Sequence, residues 1–331
     1  MDSRLASKQS STGFRRNRRL AKAGTFALAY MTTTSLLAWR LTCRDNHVYV
    51  GNHLRSSLYR LVNRFFPDPV AFLNILTPWG ALIVGEAALS HVLQEPVLCD
   101  VNFEVAVSNL HFDSFLESLR RLFPLGSNLL SPFDRPSPEG FPYHRNVTRI
   151  SEFRLLSGMF ITVYESSTPS ACDVLAGCWS TALMNFATAY TMGSAYPRLT
   201  FNNLALICDS RVSSMEWSER NVQRRLAVYG FDSSHKPDHW PLGARRTAST
   251  TSAELDLCGK SLYVCPQQGR FFGDPGSLVI FYDGLLVDIE ALRDLCVPPY
   301  GPMAAWRLPS SVPPEAIRVG LYIGVCAFHT L

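Results

Sequence analysis

Apolar residues recur along this chain with two different periods, and the switches between them outline its elements. From Asn52 to Phe66, Leu54, Leu58, Leu61, Val62 and Phe65 fall at helical spacing, and Pro67 stops the run. Asp68 to Leu76 predicts a second helix, with Asp68 as cap and Pro69 at its first position. Ala81 to Val84 predicts a short buried strand, and Glu86 to Leu93 a helix that ends before Pro96. Val101 to Val107 alternates, so it predicts a strand with Val101, Phe103, Val105 and Val107 facing the core. Its other face carries Asp100, Asn102 and Glu104. His111 to Leu122 places Phe112, Phe115, Leu116, Leu119 and Leu122 on one helical face.

Farther along, residues 124–142 are rich in Pro, Gly and Ser and read as a loop. Arg149 to Leu155 and Met159 to Tyr164 flank Ser157-Gly158 and predict a hairpin. Ala176 to Thr191 is expected to be helical, and Leu204 to Cys208 a strand. Glu216 to Val228 reads as a charged helix and Asp232 to Ser252 as a polar linker. Ser261 to Val264, Ser277 to Asp283 and Val319 to Cys326 are strand candidates, with the turn Gly273 to Ser277 between the first two. Strands alternating with helices, without a Rossmann glycine signature, predict a small mixed sheet flanked by helices, α/β or α+β.

Charge changes the picture mainly at the N-terminus. Up to Arg44 there are nine Lys/Arg and one acid, Asp2, so this segment carries +8. The overall +4 therefore leaves −4 for the remainder, which gives no general nucleic-acid signal. An Arg- and Ser-rich, acid-poor leader has the composition of an organelle transit peptide. Ala23 to Trp39 is alternatively a membrane segment, short and diluted by Thr and Ser, or a helix packed on the body behind a disordered leader. The nine cysteines are scattered and never form CxxC, which fits buried free thiols in a reducing, intracellular compartment, cytoplasmic or mitochondrial. The Asn146 sequon is then incidental. The expected organisation is a basic leader over 1–44, a main domain over 45–210, a helix and linker over 211–260, and a C-terminal segment over 261–331.

The candidate chemistry lies where the first strand meets its helix. The stretches FFPDPVAFLNILTPWGALIVGEAAL, CDVNFEVAV and STALMNFATAYTMGSAYPRLTF, with GRFFGDPGSLVIFYD behind them, resemble a family of fungal, chiefly basidiomycete, uncharacterised proteins. That family in turn resembles the nucleotidyltransferase superfamily, whose signature is Gly-Ser at a helix start followed by a D-x-D strand. The resemblance implies a nucleotidyltransferase-like core with Mg²⁺ and an NTP as donor in active members. It also implies phosphate gripping at Gly85 and the next residue, and metal carboxylates at Asp100, Asn102 and Thr162.

At those positions the residues depart from the pattern. Glu86 replaces the serine and puts a negative charge at the helix start, where it would repel a triphosphate. Asn102 offers a metal one neutral oxygen but no charge. Asp, Asn and Thr stand where three acids are wanted, with Glu104 as a further metal candidate and Glu165 nearby. The expectation is a diverged protein without transfer chemistry that serves binding or scaffolding. The alternatives are an active Mg-dependent transferase that binds nucleotide, and an organelle- or membrane-associated protein acting through its leader. His235 and His239, near Asp238 and with Cys258 and Cys265 downstream, read as exposed polar histidines rather than part of a zinc set, and Arg224-Arg225 and Arg245-Arg246 as solvated surface.

Overall fold

A computed structural model of the chain describes residues 28, 30–95, 102–122, 133–136, 146–155, 159–207, 224, 226–235, 240, 263–264, 268–282 and 304–306. Its helices begin and end for local reasons. α1 (Thr33–Arg40) starts at Thr32, whose hydroxyl accepts the Ser35 N–H. α2 (Arg44–Asn63) begins well ahead of the expected Asn52, because its first turns also bury Val50 and Gly51. Gly51 packs so closely on the Tyr282 carbonyl that a Cβ there would overlap the oxygen. α3 (Pro69–Leu76) has the predicted cap, with Asp68 Oδ1 accepting from the Ala71 N–H at 2.9 Å. A 3₁₀ turn (Thr77–Trp79) leads to β1 (Leu82–Val84) and then to α4 (Gly85–Leu93).

β2 (Phe103–Val107) and α5 (Phe112–Leu122) follow as expected, and α5 buries Phe112, Phe115, Leu116 and Leu119. A short strand, β3 (Phe133–Pro136), forms inside the stretch expected to be loop. Being an edge strand, it tolerates Pro136 at its end. β4 (Val147–Arg154) and β5 (Phe160–Ser166) make the predicted hairpin, closed by the Leu155 N–H on the Met159 carbonyl at 2.7 Å; its turn lies outside the described residues.

The expected helix over Ala176 to Thr191 is not formed. α6 (Cys172–Ala176) stops at Gly177, a 3₁₀ turn covers Thr181–Leu183, and β6 (Asn185–Ala187) and β7 (Thr191–Ser194) form a hairpin. The reason is burial on all sides. Residues 176 to 188 are all buried, so the apolar run carries no polar face that would distinguish a period of two from one of 3.6. The turn is fixed by Thr188, whose hydroxyl accepts the Thr191 N–H at 2.9 Å and the Tyr190 N–H at 3.2 Å.

Beyond β7 come α7 (Pro197–Thr200), β8 (Leu204–Leu206), β9 (Asp232–Ser234), β10 (Arg270–Phe271), β11 (Leu278–Phe281) and β12 (Ala305–Trp306). β9 corrects the expected linker at its start, since it pairs in parallel with β8. Of the strand expected at Ser261 to Val264, only Tyr263 and Val264 are among the described residues, and Tyr263 sits in a turn with φ 60°. Most of Glu216 to Val228, and all of Val319 to Cys326, lie outside the described residues.

The main sheet is mixed, as predicted, and among the described residues it has eight strands in the order β11-β7-β6-β1-β2-β5-β4-β3. Every neighbouring pair is antiparallel except β2 and β5. Both faces are covered. On one, Ile83, Phe103, Val105, Ile161, Val163 and Met192 pack under α1 to α3 and α5, with Phe66 stacked on Phe72 at 3.8 Å and both rings edge-on to Phe103. On the other, Leu82, Val84, Ala106, Ile150, Tyr164 and Phe186 meet α6, α7 and the residues around Trp306. Leu28 and Leu36 belong to the first of these cores, and Thr33 donates to the Val92 carbonyl at 2.7 Å, so the described part of Ala23 to Trp39 packs on the body. Among the described residues, no helix is long and apolar enough to cross a membrane.

The loop around Gly273 to Ser277 is a structural clamp. Arg270, 1% exposed, binds Asp274 through Nε at 2.6 Å and Nη2 at 3.1 Å. It also donates to the Tyr263 and Ala195 carbonyls, and its guanidinium lies over the Tyr196 and Tyr263 rings at 4.7 and 5.2 Å. A buried charge pair is tolerable only when its hydrogen bonds are this complete.

Candidate functional site

Strand register decides which of the candidate residues share a surface. β1 and β2 pair Val84 with Glu104, β2 and β5 pair Glu104 with Thr162, and β5 and β4 pair Thr162 with Glu152. Because alternate residues share a face, one row crosses four strands as Val84, Glu104, Thr162 and Glu152. Tyr164 sits one step along the same face, opposite Ala106. Glu165 points to the other face, where Arg149 bridges it to Asp113 at 3.2 and 2.8 Å.

The row meets the start of α4 at Gly85. Gly85 has φ +68°, a conformation that suits glycine, and a Cβ there would overlap the Glu104 carboxylate. The acid therefore occupies the space directly against the strand-to-helix turn. Its Oε1 accepts a hydrogen bond from the Tyr164 hydroxyl at 2.9 Å. Glu104 is thus half-buried and held, where the alternation alone predicted a solvated or metal-facing position.

Glu86 is the next residue, in the first turn of α4, and is only 7% exposed. The Tyr229 hydroxyl donates to its Oε2 at 2.9 Å in a buried setting. The residue before the helix, Val84, offers no side-chain cap. A carboxylate in the first turn supplies the negative charge that the helix N-terminus favours.

Of the residues singled out in the sequence, the structure brings together Gly85, Glu86, Glu104 and Thr162. Thr162 is 1% exposed and lies between two glutamates of neighbouring strands. Asn102 is exposed and precedes β2, so the strand register does not reach it. Asp100 lies outside the described residues, as do Asp238, His239, Cys258 and Cys265. Among the described residues, no three His, Cys, Asp or Glu side chains are grouped so as to hold a metal ion.

The two tyrosines were missed in the sequence. Tyr164 had a signal, since it stands two residues after Thr162 on an alternating strand. Tyr229 had none, because its approach to Glu86 depends on a contact across 143 positions. Asn146, the sequon residue, is turned inward and donates to the Asp173 carbonyl at 2.7 Å. Cys172 and Cys178 are buried, the first as a free thiol, whereas Cys43 is exposed. Burial pushes the Cys172 thiol up to about 12, so it is an inert thiol rather than a nucleophile. No protein-family model matches the chain, and no curated protein matches it either.

Proposed function

We propose that this protein is a diverged nucleotidyltransferase-fold protein that has lost transfer chemistry and acts by binding or scaffolding. The observation that carries the reading is the state of the strand-to-helix turn. The resemblance places phosphate oxygens against Gly85 and the first turn of α4. Two carboxylates of the protein itself stand there, Glu104 against Gly85 and Glu86 under the Tyr229 hydroxyl. A triphosphate entering this turn would meet like charge at a half-buried site, where repulsion is poorly screened. Thr162 adds no charge at the position of a third metal carboxylate.

Calorimetric titration of the full chain with ATP, GTP, CTP and UTP in Mg²⁺ and in Mn²⁺ tests this reading. The expected result is no saturable, metal-dependent heat, in the natural protein or in Asp100→Ala. Tight metal-dependent binding that disappears in Asp100→Ala would overturn it and restore the transferase reading. We further place the protein in a reducing compartment, a reading supported by the free buried thiol of Cys172. A fusion of residues 1 to 44 to a fluorescent reporter checks the leader. Diffuse signal is expected, and organellar or membrane signal would assign it a targeting role.

A further inference from the structure

The end of β11 rests on basic side chains from three helices. β11 is a terminal strand of the sheet and, among the described residues, pairs with β7 alone. Just beyond it, Tyr282 is fully buried, and its N–H donates to the Tyr190 carbonyl at 2.9 Å. The α2 backbone at Gly51 lies directly on the Tyr282 carbonyl. Two side chains fasten this end. Arg40 at the end of α1, 8% exposed, donates through Nη2 to the Phe281 carbonyl. His91 of α4, 2% exposed, shares a hydrogen bond between Nε2 and the Tyr282 hydroxyl at 2.9 Å, and the two rings meet edge-on at 5.7 Å.

Both fastenings require an uncharged histidine. Arg40 Nη2 also meets His47 Nε2 at 2.9 Å, and because a guanidinium only donates, His47 must offer a lone pair there. A protonated His47 has none. His91 Nδ1 is buried without a partner, so a ring protonated on both nitrogens would leave an N–H donor unmet in the core. Burial first, then the charge of His53, lower His91 to about 3; burial and then Arg60 lower His53, and burial and then Arg40 lower His47. The groups shown to act here are therefore basic or neutral: Arg40, His47, His53, Arg60, His91 and Tyr282. Of the acids near them along the chain, Asp45 and Glu95 are exposed, Glu86 is bound by Tyr229 at the other end of α4, and Asp283 lies outside the described residues.

We propose that β11 with Tyr282 is an acid-released strap, freed from the sheet edge when His91 takes up a proton while the rest of the sheet stays paired. Once the strand lifts, Tyr282 no longer covers the His91 ring, which then binds a proton below its ordinary value of about 6.5. The closed state takes that proton only near pH 3, so acid favours the open state. Release uncovers the β7 edge and withdraws Ile280 and Tyr282 from the core under α1 to α3. His91 lies at the opposite end of α4 from Gly85 and Glu86, so the proposal does not depend on how that turn is read.

Amide hydrogen exchange of the full chain at pH 7 and pH 5, corrected for intrinsic exchange, reads the opening directly. Residues 278–282 are expected to be less protected than β2 and β5 at both values, and their exchange to respond only weakly to low urea, because they open locally. Their protection is expected to fall at least about 25-fold from pH 7 to pH 5. That is the factor by which one histidine moving from about 3 to about 6.5 on opening raises the opening constant. His91→Gln keeps a polar side chain but cannot titrate, and most of the fall should vanish in it. Protection equal to that of β2 and β5, a corrected value unchanged between pH 7 and pH 5, or an equally large fall in His91→Gln would overturn the proposal.

Discussion

Gly85 is the residue on which the candidate site turns. Its φ of +68° costs a side-chain-bearing residue about 1–2 kcal/mol. A methyl there would also displace the Glu104 carboxylate. Gly85→Ala is therefore expected to lower the unfolding free energy by at least ~2 kcal/mol, read as a shift in urea midpoint. Tyr229→Phe removes one buried donor from Glu86 without changing volume, and a loss of about 1–3 kcal/mol is expected by the same measurement. No change in that variant would mean that Glu86 is satisfied without the Tyr229 hydroxyl.

His91 makes stability depend on pH, and the sign follows from the direction of its shift. Burial first, then the charge of His53, lower its folded value to about 3, against about 6.5 in the unfolded chain. Below about pH 6.5 the unfolded state binds the extra proton, so the stabilisation is complete above that value and drains away as pH falls toward 3. His53, lowered by its own burial and then by Arg60, adds in the same direction. The groups shown to act on the ring are His53 on α2, whose charge lowers it, and the Tyr282 hydroxyl, bonded to Nε2 at 2.9 Å. Denaturant titrations from pH 7 to pH 5 are expected to show a loss approaching about 1.4 kcal/mol per unit. His91→Gln should flatten most of that slope, and an unchanged slope would place the titration elsewhere.

At the scale of elements, boundaries marked by their own side-chain chemistry were legible. Asp68 and Pro69 specified the start of α3, and the spacing of Phe112, Phe115, Leu116 and Leu119 specified α5, because a solvent-facing side leaves a period to read. β6 and β7 were not legible, because strands buried on both faces carry no such period. The Arg270 clamp was read only as a turn. Its partners Ala195 and Tyr196 lie about 75 positions away, and nothing local signals them. Asp274→Ala would leave the Arg270 charge buried without its carboxylate and release the turn that Asp274 holds through the Phe271 and Gly276 N–H groups. A loss of about 3–5 kcal/mol is expected, large enough to lower the melting temperature visibly by circular dichroism.

For the molecule as a whole, the mixed α/β class was legible from the alternation of strands and helices, while the size of the sheet was not. β11, from the distant end of the chain, joins the edge at β7, and α1 contributes Leu36 to the same core. The site was legible to the same degree. Of the residues the sequence singled out, the register sets Glu104 beside Thr162 and against Gly85, with Glu86 next along the chain, while Asn102 lies ahead of the strand and Asp100 outside the described residues. The sequence did not reveal that Glu104 and Glu86 are tied down by Tyr164 and Tyr229, since those contacts depend on the fold being complete. Our central claim is that these carboxylates occupy the space a triphosphate would need. Pyrophosphate release from the four common NTPs, with Mg²⁺ or Mn²⁺ and the full-length protein, tests it most directly. The account predicts release no faster than in buffer. Protein-dependent release that vanishes in Asp100→Ala would contradict it.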